Sequence, residues 1–231
     1  PHLLRLLVPL GDESRLHLPK LGTSVRFDGP LFVAPDTHQR IERNGHSVTI
    51  FLDPEGTGWR IRSYLRDRDV PFMRAHPLLG DALADIVHQW LNMPSDDQLG
   101  RMRALIESAA GFGEVEPVPP AVRTLLTHLQ KEAGSNLKVD ELAALVQRSP
   151  RQISRIFRNA CGISMRRYCN WLKVARAIAL AGRGKPLREA GRLAGLADES
   201  HLTRSIRDHL GCPPSKLPLR RGLINGNFFA S

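Results

Sequence analysis

The hydrophobic positions change period part-way along the chain. From Leu3 to Leu52 they fall in short runs divided by Asp, Gly and Pro, as strands separated by turns do. Leu3–Val8, Ser24–Phe27, Leu31–Ala34 and Ser47–Leu52 read as strands, and the alternating segment Trp59–Tyr64 reads as a further one. Beyond these, apolar residues recur every three or four positions. Leu79, Leu83, Ile86, Val87 and Trp90 share one face of a helix over Leu78–Leu91. Leu99, Met102, Leu105 and Ile106 share one face of a second over Asp96–Ala109. Residues 111–120 are too rich in Gly and Pro for a helix or central strand and read as a linker. After it the pattern is helical almost throughout, over Ala121–Glu132, Val139–Val146, Pro150–Ala160, Met165–Ala181, Leu187–Ala194 and Glu199–Leu210. Strands, then helices, then an all-helical segment predict an α+β chain of two domains, 1–110 and 121–231, joined by 111–120.

One helical pattern occurs twice, 49 residues apart. Ser149-Pro150-Arg151-Gln152-Ile153-Ser154-Arg155-Ile156-Phe157-Arg158 is echoed by Asp198-Glu199-Ser200-His201-Leu202-Thr203-Arg204-Ser205-Ile206-Arg207. Each copy opens on an N-cap residue, and Gly162 and Gly211 stand where each helix would end. Ile153, Ile156 and Phe157 form the apolar face of the first, and Leu202 and Ile206 that of the second. Arg151, Ser154, Arg155 and Arg158, and in the second copy Ser200, Thr203, Arg204 and Arg207, lie outward at i, i+3, i+4, i+7. Before each copy runs a short helix and a tight turn, with small residues Ala143 and Gly191 placed for close helix approach. This is helix-turn-helix logic, one helix bracing and the other entering the major groove. A single such helix is more simply an amphipathic surface helix with solvated charge. Two matched copies with braces and caps outweigh that reading. Tyr168, Trp171, Leu172, Ala175 and Ala179 give the intervening helix a buried stripe, making it a rigid spacer.

Charge sharpens the division. Residues 1–120 hold 13 Lys+Arg against 16 Asp+Glu, while residues 121–231 hold 20 against 7. The net +10 of the 231-residue chain therefore lies wholly in the helical half. A basic half beside a mildly acidic one is the footprint of a nucleic-acid module joined to something else. Arginine can bond two acceptors of guanine at once, and arginines further along meet phosphates. A hydrophobic content of 42% supports a packed core, and no apolar run reaches the roughly 20 residues that span a bilayer. Cytoplasmic placement is the expectation. The first residues read as a strand, not a signal peptide, and the lack of an initiator Met leaves open that the start is clipped.

Residues 121–219, with the closing Gly211-Cys212-Pro213-Pro214-Ser215-Lys216-Leu217, resemble the DNA-binding domain of AraC/XylS-type transcription regulators. The resemblance implies two recognition helices in successive major grooves of bent double-stranded DNA. It implies base-contacting roles for Arg151, Ser154 and Arg155 and for Ser200, Thr203 and Arg204, with Arg158 and Arg207 at phosphate. Gln152 and His201 complete the expected DNA-binding set. It further implies a regulator, an activator in this reading, with RNA polymerase as partner. Gly191, Leu196, Leu202 and Ile206 depart from the family's usual alanine and aromatics, so a thinner core is expected in the second unit. Arg220–Ser231 runs past the pattern and has no assigned role. Such regulators often carry a cupin-like barrel that binds a small-molecule effector or forms a homodimer. Residues 1–75 are compatible with a reduced, degenerate version, followed by a helical appendix. The Leu79–Trp90 stripe fits packing within the chain, the preferred reading, or a dimer helix.

Enzyme readings are weaker. A DNA-repair alkyl transferase fused to such a module needs an activated thiolate, yet the cysteines are Cys161, Cys169 and Cys212, with none before them. Three cysteines without a C-x-x-C pair indicate neither a disulfide framework nor structural zinc. A metal-dependent cupin enzyme would need His38 or His46 as ligands, but no H-x-H pair or matching carboxylate accompanies them, so solvated loop histidines are preferred. No nucleophile–base constellation or phosphate-cradling glycine loop is present, so no catalytic residue, metal or cofactor is expected.

Overall fold

A computed structural model describes residues 3–11, 13–43, 46–52, 57–93, 95–109, 118–132 and 138–217. The chain divides into two compact units, Pro1–Val115 and Glu116–Ser231. Residues 111–117 of the expected linker and the tail beyond Leu217 lie outside the described residues.

The amino-terminal unit opens with β1 (Leu4–Leu10), β2 (Ser14–Leu18), β3 (Thr23–Phe27), β4 (Leu31–Val33), β5 (Arg40–Arg43) and β6 (His46–Leu52). Helix α1 (Thr57–Asp67), β7 (Phe72–Arg74), α2 (Pro77–Asn92) and α3 (Asp96–Ala109) follow. All strand pairs are antiparallel, in a four-stranded sheet of order β6-β1-β4-β7 and a three-stranded sheet of order β3-β2-β5. Strand β1 lies between β6 and β4, with Leu6 opposite Ile50 on one side and Phe32 on the other.

The two-residue period of a strand gives β1 two buried faces. Leu4, Leu6 and Val8 join Phe32 and pack with Ile61, Leu65, Leu83 and Val87 from the helices. Leu7 packs instead with Leu31 and Val33 against Leu16, Leu18 and Phe27 of the second sheet. Arg5 is 2% exposed and its Nη2 donates to the carbonyls of Ala34 at 3.3 Å and Thr37 at 3.4 Å. Burial pulls its pKa down to about 10, with Asp36 acting in the opposite sense. The guanidinium therefore stays charged at neutral pH and needs those carbonyls.

Two expectations change here. Trp59–Tyr64 is not a strand but part of α1, because Ile61 and Leu65, four residues apart, bury one helical face. Ser14–Leu18, Arg40–Arg43 and Phe72–Arg74 are strands that the sequence reading passed over, and with them the described residues form two sheets where a reduced, degenerate barrel was expected. The α2 stripe of Leu79, Leu83, Ile86 and Val87 packs within its own unit, as the preferred reading has it.

The carboxy-terminal unit comprises α4 (Pro120–Lys131), α5 (Val139–Leu145), α6 (Pro150–Cys161), α7 (Met165–Gly182), α8 (Leu187–Leu193) and α9 (Glu199–Leu210). Each boundary falls within one residue of its expected place. A 3-10 turn at Pro214–Lys216 follows. Tyr168, Trp171, Leu172, Val174, Ala175 and Ile178 bury most of one side of α7. Among the described residues no helix is long and apolar enough to cross a membrane.

Candidate nucleic-acid interface

Both recognition-type helices are built by the same local devices. In α6, Ser149 Oγ accepts from Gln152 N at 3.3 Å, while Gln152 Oε1 accepts from Ser149 N at 2.9 Å. That reciprocal pair is a capping box, followed by Pro150 at the first helical position. In α9, Asp198 Oδ1 accepts from His201 N at 2.7 Å. Gly162 and Gly211 end the two helices at φ 72° and 75°, in the left-handed region that glycine adopts without a Cβ penalty.

The turns before them also match, but not residue for residue. Gln147 at φ 53° and Gly195 at φ 81° occupy the same left-handed place, 48 residues apart. Arg148 N donates to Ala143 O, and Leu196 N to Gly191 O, each at 3.0 Å. The recognition helices themselves repeat at 49, so the second turn is one residue longer before its N-cap. Leu196 is buried there, whereas Arg148 is exposed.

Helix α7 holds both. On one side Phe157 of α6 meets Tyr168 edge-on with ring centroids 5.6 Å apart. On the other, Asn170 Nδ2 donates to Ser205 Oγ at 3.0 Å and lies 3.4 Å from His209 Nε2. Trp171 packs on the His209 ring at 5.7 Å. Ser205 and His209 are 3% and 1% exposed. The sequence reading missed this polar contact, whose signal was Ser205 and His209 at buried positions of α9's apolar face. Leu202 and Ile206 are fully buried despite replacing aromatics, and Leu202 closes over Gly191 of α8. The expected thinning of the second unit is thus offset by tight packing and by the Asn170 bonds.

The expected DNA-binding residues divide into three groups. Arg151, Arg155 and Arg158 on α6 and Arg204 and Arg207 on α9 are exposed, and none forms an ion pair among the described residues. This contrasts with Lys185, held by Glu189 at 2.9 Å. Ser200 and His201 are exposed and Thr203 half-buried, all with side chains that bond no partner among the described residues on α9's outer face. Gln152 and Ser154 are exposed but engaged locally, Gln152 in the capping box and Ser154 Oγ donating to Pro150 O at 2.8 Å. Gln152 therefore serves first as a cap.

Cys161 is buried, and burial pushes the Cys169 thiol up, away from the thiolate that alkyl transfer needs. Among the described residues no group of three or more His, Cys, Asp or Glu is placed to hold a metal ion; His38 is exposed in a loop, and His46 opens β6.

A sequence-family profile described as a helix-turn-helix domain matches residues 142–220, which begin within α5 and run three residues past the described chain. No curated protein matches. Among solved structures, an apo variant of ToxT from Vibrio cholerae aligns with TM-score 0.60 at 12% identity, over 92% of this chain and 87% of that one. ToxT from Vibrio cholerae bound to (E)-4-(8-methylnaphthalen-1-yl)but-3-enoic acid aligns with TM-score 0.58 at 12% identity, over 93% and 89%. Wild-type ToxT from Vibrio cholerae bound to an unsaturated fatty acid aligns with TM-score 0.54 at 10% identity, over 92% and 85%. These likenesses show a shared fold, a β-containing amino-terminal unit followed by a helical one. With the paired helix-turn-helix units and the profile match, residues 142–220 form a helix-turn-helix domain of the AraC type.

Proposed function

We propose that the chain is a sequence-specific transcription regulator, an activator, whose α6 and α9 enter two successive major grooves of double-stranded DNA. The observation that carries this is the set of five exposed arginines without partners among the described residues, on two capped helices that share α7 as a support. A guanidinium left unpaired on an exposed face is available for guanine or phosphate. Arg151, Ser154 and Arg155, and Ser200, Thr203 and Arg204, are the base-contacting set; Arg158 and Arg207 meet phosphate. His201 joins them from the exposed first turn of α9.

Selection of bound sites from random DNA tests the reading. Two preferred boxes about ten base pairs apart are expected for helices one turn of duplex apart. Arg155→Ala and Arg204→Ala should each weaken binding of the selected duplex by about 1–3 kcal/mol and relax one box each. An unchanged footprint in both variants overturns the proposal. Transcription by RNA polymerase from a promoter bearing the selected site should rise with the protein present, in keeping with a cytoplasmic regulator.

The amino-terminal unit is the effector-binding part in this reading. Support comes from ToxT solved with a butenoic acid derivative and with an unsaturated fatty acid. An unsaturated fatty acid should raise the melting temperature of the full chain and alter its affinity for the selected duplex; no shift in either removes this class of effector.

A further inference from the structure

The two recognition helices carry the same outward positions but different charge. Where α6 has Ser149, Pro150 and Asn159, α9 has Asp198, Glu199 and Asp208, 49 residues on. Where α6 has Arg151, α9 has Ser200. The exposed faces thus differ by kind: α6 presents three arginines and no carboxylate, whereas α9 presents two arginines together with Glu199 and Asp208. Glu199 and Asp208 are exposed and form no ion pair among the described residues. Ser200, Arg204 and Asp208 follow at i, i+4, i+8, so this carboxylate lies on the stripe that bears a base-contacting arginine.

We infer that Glu199 and Asp208 are specificity-determining residues that make α9 the stringent reader, leaving α6 as the sequence-tolerant grip. The inference rests on the reading that both helices meet the duplex. Non-specific affinity comes almost entirely from cations replacing the counterions of phosphates. Helix α6 gains that term at any sequence. On α9 two carboxylates offset the two arginines, so sequence-independent attraction nearly cancels. Helix α9 then stays in the groove only where Ser200, Thr203 and Arg204 find their bases. The penalty is unequal: at a wrong site α9 has only phosphates to grip, where its carboxylates meet like charge, whereas at the right site base contacts hold it over the bases, and that difference is what discriminates.

The test compares the duplex recovered by selection with an unrelated duplex of equal length, over a range of salt concentrations. Glu199→Gln with Asp208→Asn should tighten binding to the unrelated duplex about tenfold near physiological salt and steepen the salt slope by about 1–2. The selected duplex should gain several-fold less, so discrimination falls. Asp81→Asn with Asp85→Asn makes the same change of net charge on exposed positions of α2 and should alter neither affinity. Unchanged affinity for the unrelated duplex, equal gains on both duplexes, or an equal effect of the α2 pair overturns the inference. Arg204→Ala separates the two levels: if it weakens the selected complex while the carboxylate variant has no effect, only this inference fails. If Arg204→Ala also has no effect, the two-helix reading fails with it.

Discussion

A methyl group at Gly191 of α8 would stand 2.9 Å from Cδ2 of Leu202 on α9. The two residues fit as a pair, the absent side chain of one making room for the branched end of the other. Leu202 is fully buried and has little space to rotate away. A helix-interior glycine costs about 1 kcal/mol of propensity relative to alanine, and overpacking a core costs about 1–3 kcal/mol. Gly191→Ala should therefore destabilise the domain by about 1 kcal/mol net, as read by urea denaturation. Combined with Leu202→Val, which removes the clashing carbon, the alanine should become neutral or favourable. Additive effects of the two changes would show that the contact does not couple them.

Gln152 and His201 occupy equivalent places but do different work. Gln152→Ala breaks the capping box and should cost about 0.5–1 kcal/mol of stability, with little change in the bases selected. His201→Ala removes a side chain that bonds nothing within the described chain, so stability should hold while DNA affinity falls. Selection from random DNA and denaturation, run on both variants, would expose a reversed outcome at once.

The Asn170–Ser205 bond fixes α9 to α7 from within. Ser205→Ala leaves the half-buried Asn170 amide short of a partner and should cost about 1 kcal/mol. Loss should appear as faster amide hydrogen exchange in α9 than in α6.

Glu42 accepts from His17 across the β2–β5 pair at 2.9 Å, and that bond holds its carboxyl below the usual carboxylate range. A carboxyl with a lowered folded pKa stabilises the unit above its unfolded pKa, and that contribution is lost as pH falls through the folded value. Acid denaturation should thus begin at higher pH in Glu42→Gln than in the parent. The shift should be small, since the pair lies at the surface.

The helical unit was largely legible because its signals are local. Caps at Ser149, Ser164 and Asp198 and stops at Gly162 and Gly211 fix element ends from neighbouring residues alone. The amino-terminal unit was less so. Ser14-Arg15-Leu16-His17-Leu18 does alternate, but with only two strong apolar residues its period is faint until Leu7 and Phe27 pack on it. Trp59-Arg60-Ile61-Arg62 alternates too, yet the helix wins because the face carrying Ile61 and Leu65 meets the core shared with α2 and α3. At the candidate interface the exposed arginines could be named in advance. The engagement of Gln152 could not, since the same residue type suits base recognition and capping equally.

The single additional residue ahead of Asp198 has a practical bearing on protein engineering. A graft aligned on the turns, with Gly195 set on Gln147, would start the α9 sequence one position late and put Leu202 at the exposed place of Ser154. Every side chain would swing about 100° around the helix axis, burying polar tips and exposing Leu202 and Ile206. Swapping reading heads between the two halves of this domain therefore requires matching cap to cap, Asp198 on Ser149, and not turn to turn.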